Sequence, residues 1–381
     1  MEEPPDPLIQ VCPHCQVLID VSDQEPLAVI LCPSCGGPSE VAGHIDHFNL
    51  LEVLGEGGMG VVYKARDTSL ERLVALKLLR KSSTASPDQI AQLAHEAALT
   101  ASINHPHVVK VYSTGMDAGR FYIAMELVQQ GTLDQRITQD SKIPEAKALQ
   151  IGIQIAQGLR AAHQAGLIHR DVKPGNILFD NDQIAKIVDF GLATTTEGGE
   201  LSPSEIWGTP YYLAPEKLDH KPEDFRSDIY SLGATLFHAL AGRPPFEDKT
   251  ASLVALKHLK TQAVSLQAFA PWISGATAFA INRTLKKDPE QRYQSYDELI
   301  EHLQYALSEL STPKPQISKR VVLETPAQNQ VAFWFSLLLI LIFIGAASSI
   351  YFFRDSIFKK TVVFAPIPQK SPKTKLPIPP S

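Results

Sequence analysis

The residue pattern changes once within residues 48–310, and that change sets the class of fold. Up to residue 128, short β-branched and aromatic runs dominate, such as Val61-Val62-Tyr63 and residues 74–79, with one helical stretch over 87–103. From Leu133 onward, amphipathic patterns at helical spacing take over, among them 146–165 and 227–241. A small strand-rich part followed by a larger helical part predicts an α+β, bilobal arrangement with a cleft between the lobes. A hydrophobic fraction of 44% can supply a core of that size. The net charge of −6 gives no basic surface, so no nucleic-acid partner is expected.

Four other segments flank this region. Residues 8–43 hold all 4 cysteines, as Cys12-Pro13-His14-Cys15 and Cys32-Pro33-Ser34-Cys35, the second pair followed by Gly36-Gly37. Two Cys-x₂-Cys pairs at this separation predict a small zinc ribbon, since four thiolates satisfy the tetrahedral preference of Zn²⁺ and leave no open position. So short a segment buries little apolar surface, so bound metal is expected to supply its folding energy. A redox pair is the alternative, and His14 is expected to be an ordinary knuckle residue. The ribbon lacks a basic cluster, which favours a docking or regulatory role over nucleic-acid binding. Residues 311–330 carry Pro313, Pro315 and Pro326 and read as a linker. Residues 331–353 are uncharged and apolar, long enough for the ~20-residue span of a hydrocarbon core. Phe333-Trp334-Phe335 and Tyr351-Phe352-Phe353 suit its two interfaces. A Lys- and Pro-rich tail, 354–381, follows. The first residues are acidic and proline-rich, unlike a cleavable signal, so the first 300 residues are expected to stay in the cytoplasm.

Chemistry concentrates in three runs. Gly55-Glu56-Gly57-Gly58-Met59-Gly60 precedes Val61-Val62-Tyr63, so the glycines turn a hairpin and do not open a helix. Taken alone, such a turn is either a phosphate cradle or an ordinary hairpin. Lys77 lies in the apolar strand Val74-Ala75-Leu76-Lys77, where a lysine is either a solvated edge charge or a buried one that needs a carboxylate to remain ionised. Glu96, on the helical stretch before Asn104-His105-Pro106, is the candidate partner and would hold Lys77 over the α- and β-phosphates of ATP. The third run, His169-Arg170-Asp171-Val172-Lys173-Pro174-Gly175-Asn176, is the most specific. Asp171 can accept a hydrogen bond from a substrate hydroxyl and aim it at a γ-phosphate. Lys173 can stabilise the transferring group, and Asn176 can bind Mg²⁺ through its amide oxygen. Asp189, in Asp189-Phe190-Gly191, supplies a second hard oxygen for the metal. Phosphoryl transfer rests mainly on positioning and charge neutralisation, which is what these residue types provide.

These runs, with Ala214-Pro215-Glu216 and Asp228-Ile229-Tyr230-Ser231-Leu232-Gly233, resemble the protein-kinase signature set in its expected order, and most closely the eukaryotic-like serine/threonine kinases of bacteria. The resemblance covers 48–310. It implies a bilobal kinase fold, ATP and Mg²⁺ as cofactors, and protein substrates. It also implies a nucleotide site from Leu54, Gly55, Gly57, Gly60, Val62, Ala75, Lys77, Glu126, Val128 and Leu178, with Glu126 to Val128 as hinge and Met125 as gatekeeper. Glu216 is expected to pair with Arg292. Lys173, and the Gly208-Thr209-Pro210-Tyr211-Tyr212 segment with Thr209 bonding near Asp171, resemble serine/threonine rather than tyrosine kinases. Tyr230 departs from the Trp of many eukaryotic kinases, at what reads as a packing position.

Arg170 before Asp171 goes, in this family, with control by loop phosphorylation. Thr194, Thr195, Thr196, Ser202 and Ser204 are therefore candidate autophosphorylation sites, with a merely solvated loop as the alternative. A homodimer is the partner class such autophosphorylation admits. Charges flank the apolar span on both sides, so they do not orient it. ATP dependence places the kinase part in the cytoplasm of a single-pass membrane protein. A scaffold that uses the fold only for docking would be marked by loss of Lys77, Asp171, Asn176 or Asp189, and all four are present. Transfer to a small molecule is disfavoured by the 208–216 segment.

Overall fold

The computed structural model describes residues 8–58, 60–80, 87–180, 183–190, 210–311 and 328–357. Two antiparallel hairpins open the chain, β1 (Ile9–Val11) with β2 (Leu18–Asp20), and β3 (Val29–Leu31) with β4 (Pro38–Glu40). Each is closed by a cysteine knuckle of the same design. The Gln16 N–H donates to the Cys12 carbonyl at 3.0 Å, and the Gly36 N–H donates to the Cys32 carbonyl at 2.8 Å. Gln16 and Gly36 occupy matching left-handed positions, φ 62° and 71°.

The small lobe follows. Its strands are β5 (His44–Ile45), β6 (Phe48–Gly57), β7 (Gly60–Asp67), β8 (Arg72–Leu79), β9 (Val111–Asp117) and β10 (Arg120–Met125), with α1 (Pro87–Ser102) between β8 and β9. All neighbours pair antiparallel in the order β5-β6-β7-β8-β10-β9. Because successive strand residues face opposite ways, the sheet carries two separate cores. Tyr63, Val74, Leu76, Leu78 and Tyr122 belong to the outer one. Ala75, Leu79, Ile123 and Met125 pack with Leu93 and Ala97 of α1 in the inner one. Lys77 alternates onto the inner face.

The large lobe begins with α2 (Leu133–Asp140), opened by a capping box in which Thr132 and Gln135 satisfy each other's backbone N–H groups. Then come α3 (Glu145–Gln164), a 3₁₀ turn (Pro174–Asn176), the short pair β11 (Ile177–Phe179) and β12 (Ala185–Ile187), and α4 (Pro215–Leu218). Helices α5 (Phe225–Ala241), α6 (Ala251–Lys260), α7 (Leu266–Phe269), α8 (Gly275–Thr284) and α9 (Tyr296–Ser311) complete it. Ile151, Ile155 and Leu159 of α3 recur at helical spacing and are buried with α5 and α9 in one core. Helices α5 and α8 touch at Gly233, where a Cβ would lie 1.7 Å from Thr284 Oγ1.

One buried ion pair fastens the lower part of this lobe. Arg292, 0% exposed, donates to Glu216 Oε1 at 2.6 Å and Oε2 at 2.7 Å. Its other donors reach the carbonyls of Lys286, Lys287 and Arg226. Burial pushes the Glu216 carboxyl up, but the hydrogen bonds and charge of Arg292 prevail and hold it below its ordinary 4.5.

The second unit contains α10 (Gln328–Ile357), 30 residues, and is described by itself. Its described side chains run from 333 to 349. Among described residues no helix is long and apolar enough to cross a membrane, and the ends of the expected 331–353 span lie beyond those described side chains.

Replacing Arg292 by Met leaves Glu216 buried without its cation, and the expected loss is about 3–5 kcal/mol of unfolding free energy in urea titrations. Because the folded Glu216 pKa is depressed, its contribution is present above about pH 4.5 and is lost as pH falls through the folded value. The difference between wild type and R292M should therefore shrink on acidification.

Candidate active site

The third sequence run folds into a loop whose shape is imposed from beneath. Arg170 takes φ 66°, a conformation costly for a residue with a Cβ, so something must over-determine it. Asp228, on the first turn of α5, supplies that constraint. Its Oδ2 accepts from the His169 N–H at 2.8 Å and its Oδ1 from the Arg170 N–H at 2.7 Å. Burial pushes the Asp228 carboxyl up, opposed in part by His169 and these backbone donors. Lys217 Nζ adds a bond to the Arg170 carbonyl at 2.9 Å. His169 is buried, packs against Phe190 with tilted rings whose centroids are 4.6 Å apart, and bonds through Nε2 to the Val188 carbonyl at 2.9 Å.

So held, the loop brings three of the expected residues together. Lys173 Nζ donates to Asp171 Oδ2 at 2.8 Å, and Asn176 Nδ2 donates to the same oxygen at 3.0 Å and to the Asp171 carbonyl at 2.8 Å. Asn176 thus spends its amide nitrogen on Asp171, which leaves its oxygen as the group able to meet a cation. Asp171 keeps 30% of its side chain exposed.

Lys77 departs from expectation. Its ion pair is with Asp189 Oδ2 at 2.8 Å, not with Glu96. Glu96 lies on α1 and accepts from Gln92 Nε2 at 3.5 Å. Spacing along the chain fixes which face of α1 bears Glu96, but not how far α1 stands from β8, so it cannot decide between two carboxylates. Burial raises Asp189, but the charge of Lys77 prevails and holds it below its ordinary 3.8. Asp189 itself sits at φ 67°.

The residues expected to bind nucleotide lie mostly in the small lobe and just after β10, with Leu178 on β11. Gly55 pairs with Val62 and Gly57 with Gly60 in the β6–β7 hairpin. Added Cβ atoms at Gly55 or Gly57 would meet nothing within 4 Å, whereas at Gly60 a Cβ would lie 2.1 Å from the Leu78 carbonyl oxygen. Gly60 is therefore required for β7 to approach β8, a packing role that spacing alone does not reveal. Leu54 is exposed, and Val62, Ala75, Val128 and Leu178 belong to or pack on the inner core. Glu126 is tied at the end of β10 by Lys186 Nζ at 2.5 Å and by the Lys110 N–H at 3.3 Å. Thr209, Gly191 and the candidate sites Thr194, Thr195, Thr196, Ser202 and Ser204 lie outside the described residues. Asp228 and Lys217 escaped sequence reasoning. Asp228 stood within a recognised run but had no role there, because its partners are backbone groups some 58 residues away.

The four cysteines also converge. Their Sγ atoms all lie within 4.8 Å of one another, with Cys12–Cys35 at 3.8 Å and Cys15–Cys32 at 3.7 Å. A tetrahedron of Zn–S bonds of about 2.3 Å has edges of about 3.8 Å, so the donor set fits zinc, while a disulfide needs about 2.05 Å. Backbone N–H groups of Cys35 and then Ser34 draw the Cys32 thiol down to about 6. His14 points elsewhere, with Nε2 2.9 Å from the Pro38 carbonyl.

Comparison with known proteins agrees with this geometry. The protein kinase domain family matches residues 48–304. A probable serine/threonine-protein kinase of Clostridium acetobutylicum is 36% identical over 259 residues, covering 68% of this chain and 39% of that protein. Serine/threonine-protein kinase PrkC of Bacillus subtilis is 36% identical, covering 66% of this chain and 39% of that protein. The crystal structure of the PknI kinase domain of Mycobacterium tuberculosis superposes with a TM-score of 0.58 at 27% identity, covering 70% of this chain and 100% of that one. The chain belongs to the protein kinase family. It spans about two-fifths of the length of the curated relatives it matches.

Asp228→Asn places an amide where two backbone N–H groups need acceptors. Loss of one charge-assisted bond of about 1.5–3 kcal/mol should lower kcat roughly ten- to a hundredfold. Initial-rate kinetics should show KM for ATP nearly unchanged, because the nucleotide residues lie mainly in the other lobe.

Proposed function

We propose that this chain transfers the γ-phosphoryl group of ATP to serine or threonine hydroxyls of proteins. The observation that carries the reading is the convergence of Lys173 and Asn176 on the Asp171 carboxylate, with Lys77 and Asp189 paired beside the inner core. Asp171 accepts the hydroxyl proton as the substrate oxygen forms its bond to γ-phosphorus and the bond to the β,γ-bridging oxygen breaks, leaving ADP. Lys173 faces the charge that develops on the transferring group, and Lys77 that of the remaining phosphates. The hard oxygens of Asn176 and Asp189 suit Mg²⁺, which neutralises phosphate charge when bound. Serine or threonine as acceptor rests on Lys173 and on the serine/threonine kinases that the chain resembles.

Three further parts belong to the proposal. Zinc is held by Cys12, Cys15, Cys32 and Cys35 as a structural ion, supported by the sulfur spacing. Residues 331–353 anchor the chain in a membrane as a single span, supported by the uncharged apolar sequence and the 30-residue α10. The kinase part then faces the cytoplasm, where ATP is. The hydroxyl residues between Thr194 and Ser204 receive phosphate from a second copy of the chain, and Arg170, which precedes Asp171, is the cation expected to meet the new charge.

Transfer of labelled phosphate from ATP to a generic protein substrate tests the central claim. Asp171→Asn should lower the rate by at least ~10²-fold. Equal labelling by both proteins would overturn the assignment. Metal analysis of the purified chain should find one zinc per chain, and none after Cys12→Ser with Cys32→Ser.

A further inference from the structure

Between the two cysteine hairpins the chain makes a tight turn, and the turn does not face solvent. The Ala28 N–H donates to the Glu25 carbonyl at 3.1 Å, with Pro26 and Leu27 at the two central positions. Leu27 takes φ 63°, at the turn position where glycine is preferred. A leucine kept there at a cost calls for a compensating contact. That contact exists, since Leu27 packs on the outer core of the small lobe. It fits a notch at Gly43, where an added Cβ would lie 2.4 Å from Leu27 Cδ2.

The flanking residues are fixed to the same lobe by polar bonds. Tyr63, 1% exposed on β7, donates its hydroxyl to the Pro26 carbonyl at 3.3 Å. Arg120, at the start of β10, donates to Glu25 Oε2 at 2.5 Å and, through Nε, to the Leu79 carbonyl at 3.5 Å. The turn therefore touches β7 and the start of β10, and Arg120 carries the connection on to the end of β8. Leu76 and Leu78 face this outer core, and Lys77 between them faces the other side. The ends of the turn lie in the metal-side core, where Val21 is buried with Cys12 and Cys32, and Ala28 packs against them.

We propose that residues 25–27 are a clamp that closes the outer core of the small lobe, so that the metal state of the four-cysteine site governs how well the Lys77 strand binds nucleotide. The inference rests on the zinc assignment made above. With the ion bound, the two hairpins hold Val21 and Ala28 in place and the turn stays seated. Without it, four thiols and a few apolar residues cannot keep so small a core together. The turn then leaves, Tyr63 loses the Pro26 carbonyl and Arg120 loses Glu25, and the strand that aims Lys77 loosens.

The test uses the full chain in three states: zinc-loaded, chelated, and the double variant Glu25→Ala with Leu27→Ala. Zinc content, Mg²⁺-ATP affinity and amide exchange over residues 74–79 are measured for each. In wild type, chelation should speed exchange of those amides by about tenfold and weaken ATP binding several-fold. The double variant should retain one zinc yet already show the faster exchange and weaker binding, with chelation adding less than about twofold to either. A zinc-loaded double variant indistinguishable from wild type would overturn the clamp and leave the zinc assignment standing. So would wild-type affinity and exchange that are unchanged when zinc leaves. A chain that takes up no zinc would overturn the zinc assignment, and the clamp with it.

Discussion

The carboxylate of Asp228 is buried under a loop that cannot hold its own shape. Arg170 at φ 66° turns two successive backbone N–H groups downward, toward the first turn of α5. The His169 N–H is buried and that of Arg170 part-buried, and an unpaired buried N–H costs as much as a lost hydrogen bond. One acceptor group with two oxygens answers both donors, and an ionised one answers them more strongly than an amide could. The residues after the turn inherit their positions from it. Asp171, Lys173 and Asn176 meet only because the chain leaves Arg170 in a fixed direction. The helix that carries Asp228 is itself tied down, since Arg292 bonds to the Arg226 carbonyl as well as to Glu216. The chemistry of the loop therefore depends on ion pairing well below it.

Across the cleft, one cation has two candidate carboxylates. Lys77 is bonded to Asp189, which is also one of the two hard-oxygen groups suited to a metal. A divalent ion at Asp189 and the lysine draw on the same carboxylate, so they compete for its charge. Glu96, the other carboxylate expected beside Lys77, lies on α1 and accepts from Gln92 Nε2 at 3.5 Å. The inner core beside this pair holds a cavity of about 20 Å³, the size of a water site, lined by Ala97, Thr100, Val109, Ile123, Met125 and Asp189.

What was legible in the sequence was what is local in the chain. The strand and helix runs follow from periodicity, and α1, α3 and α5 begin and end within a few residues of the expected stretches. The 169–176 run was readable because its three side chains act within eight residues of one another. The cysteine pairs were readable because knuckle spacing is a property of the ligands. Long-range choices were not readable. Whether Lys77 meets Glu96 or Asp189 depends on a helix-to-strand distance. Gly60 looked like a phosphate residue, and its demand turns out to be the carbonyl of Leu78. The Glu25–Arg120 contact joins residues 95 apart, with nothing in either neighbourhood to announce it.

Tyr230 shows how a position read as packing can carry polar structure. Its ring is fully buried in α5, and a buried hydroxyl needs partners. It finds two: His258 Nδ1 at 2.9 Å and Lys287 Nζ at 3.2 Å. The Lys287 ammonium also lies 4.2 Å from the centroid of Phe246, and the Arg292 guanidinium 4.9 Å from that of Tyr230. Burial, then the nearby charge of Arg292, draws Lys287 down to about 7. A lysine whose folded pKa is depressed favours the folded state as it loses its proton, so this group's contribution grows as pH rises from about 7 toward 10.5. Glu216 acts in the same sense at lower pH, since its contribution is lost as pH falls through its folded value. Arg292 is common to both, pairing with one and repelling the other. The polar cluster under α5 is thus organised around one guanidinium, and a phenol in place of a larger ring gives that cluster a hydroxyl through which His258 and Lys287 are joined.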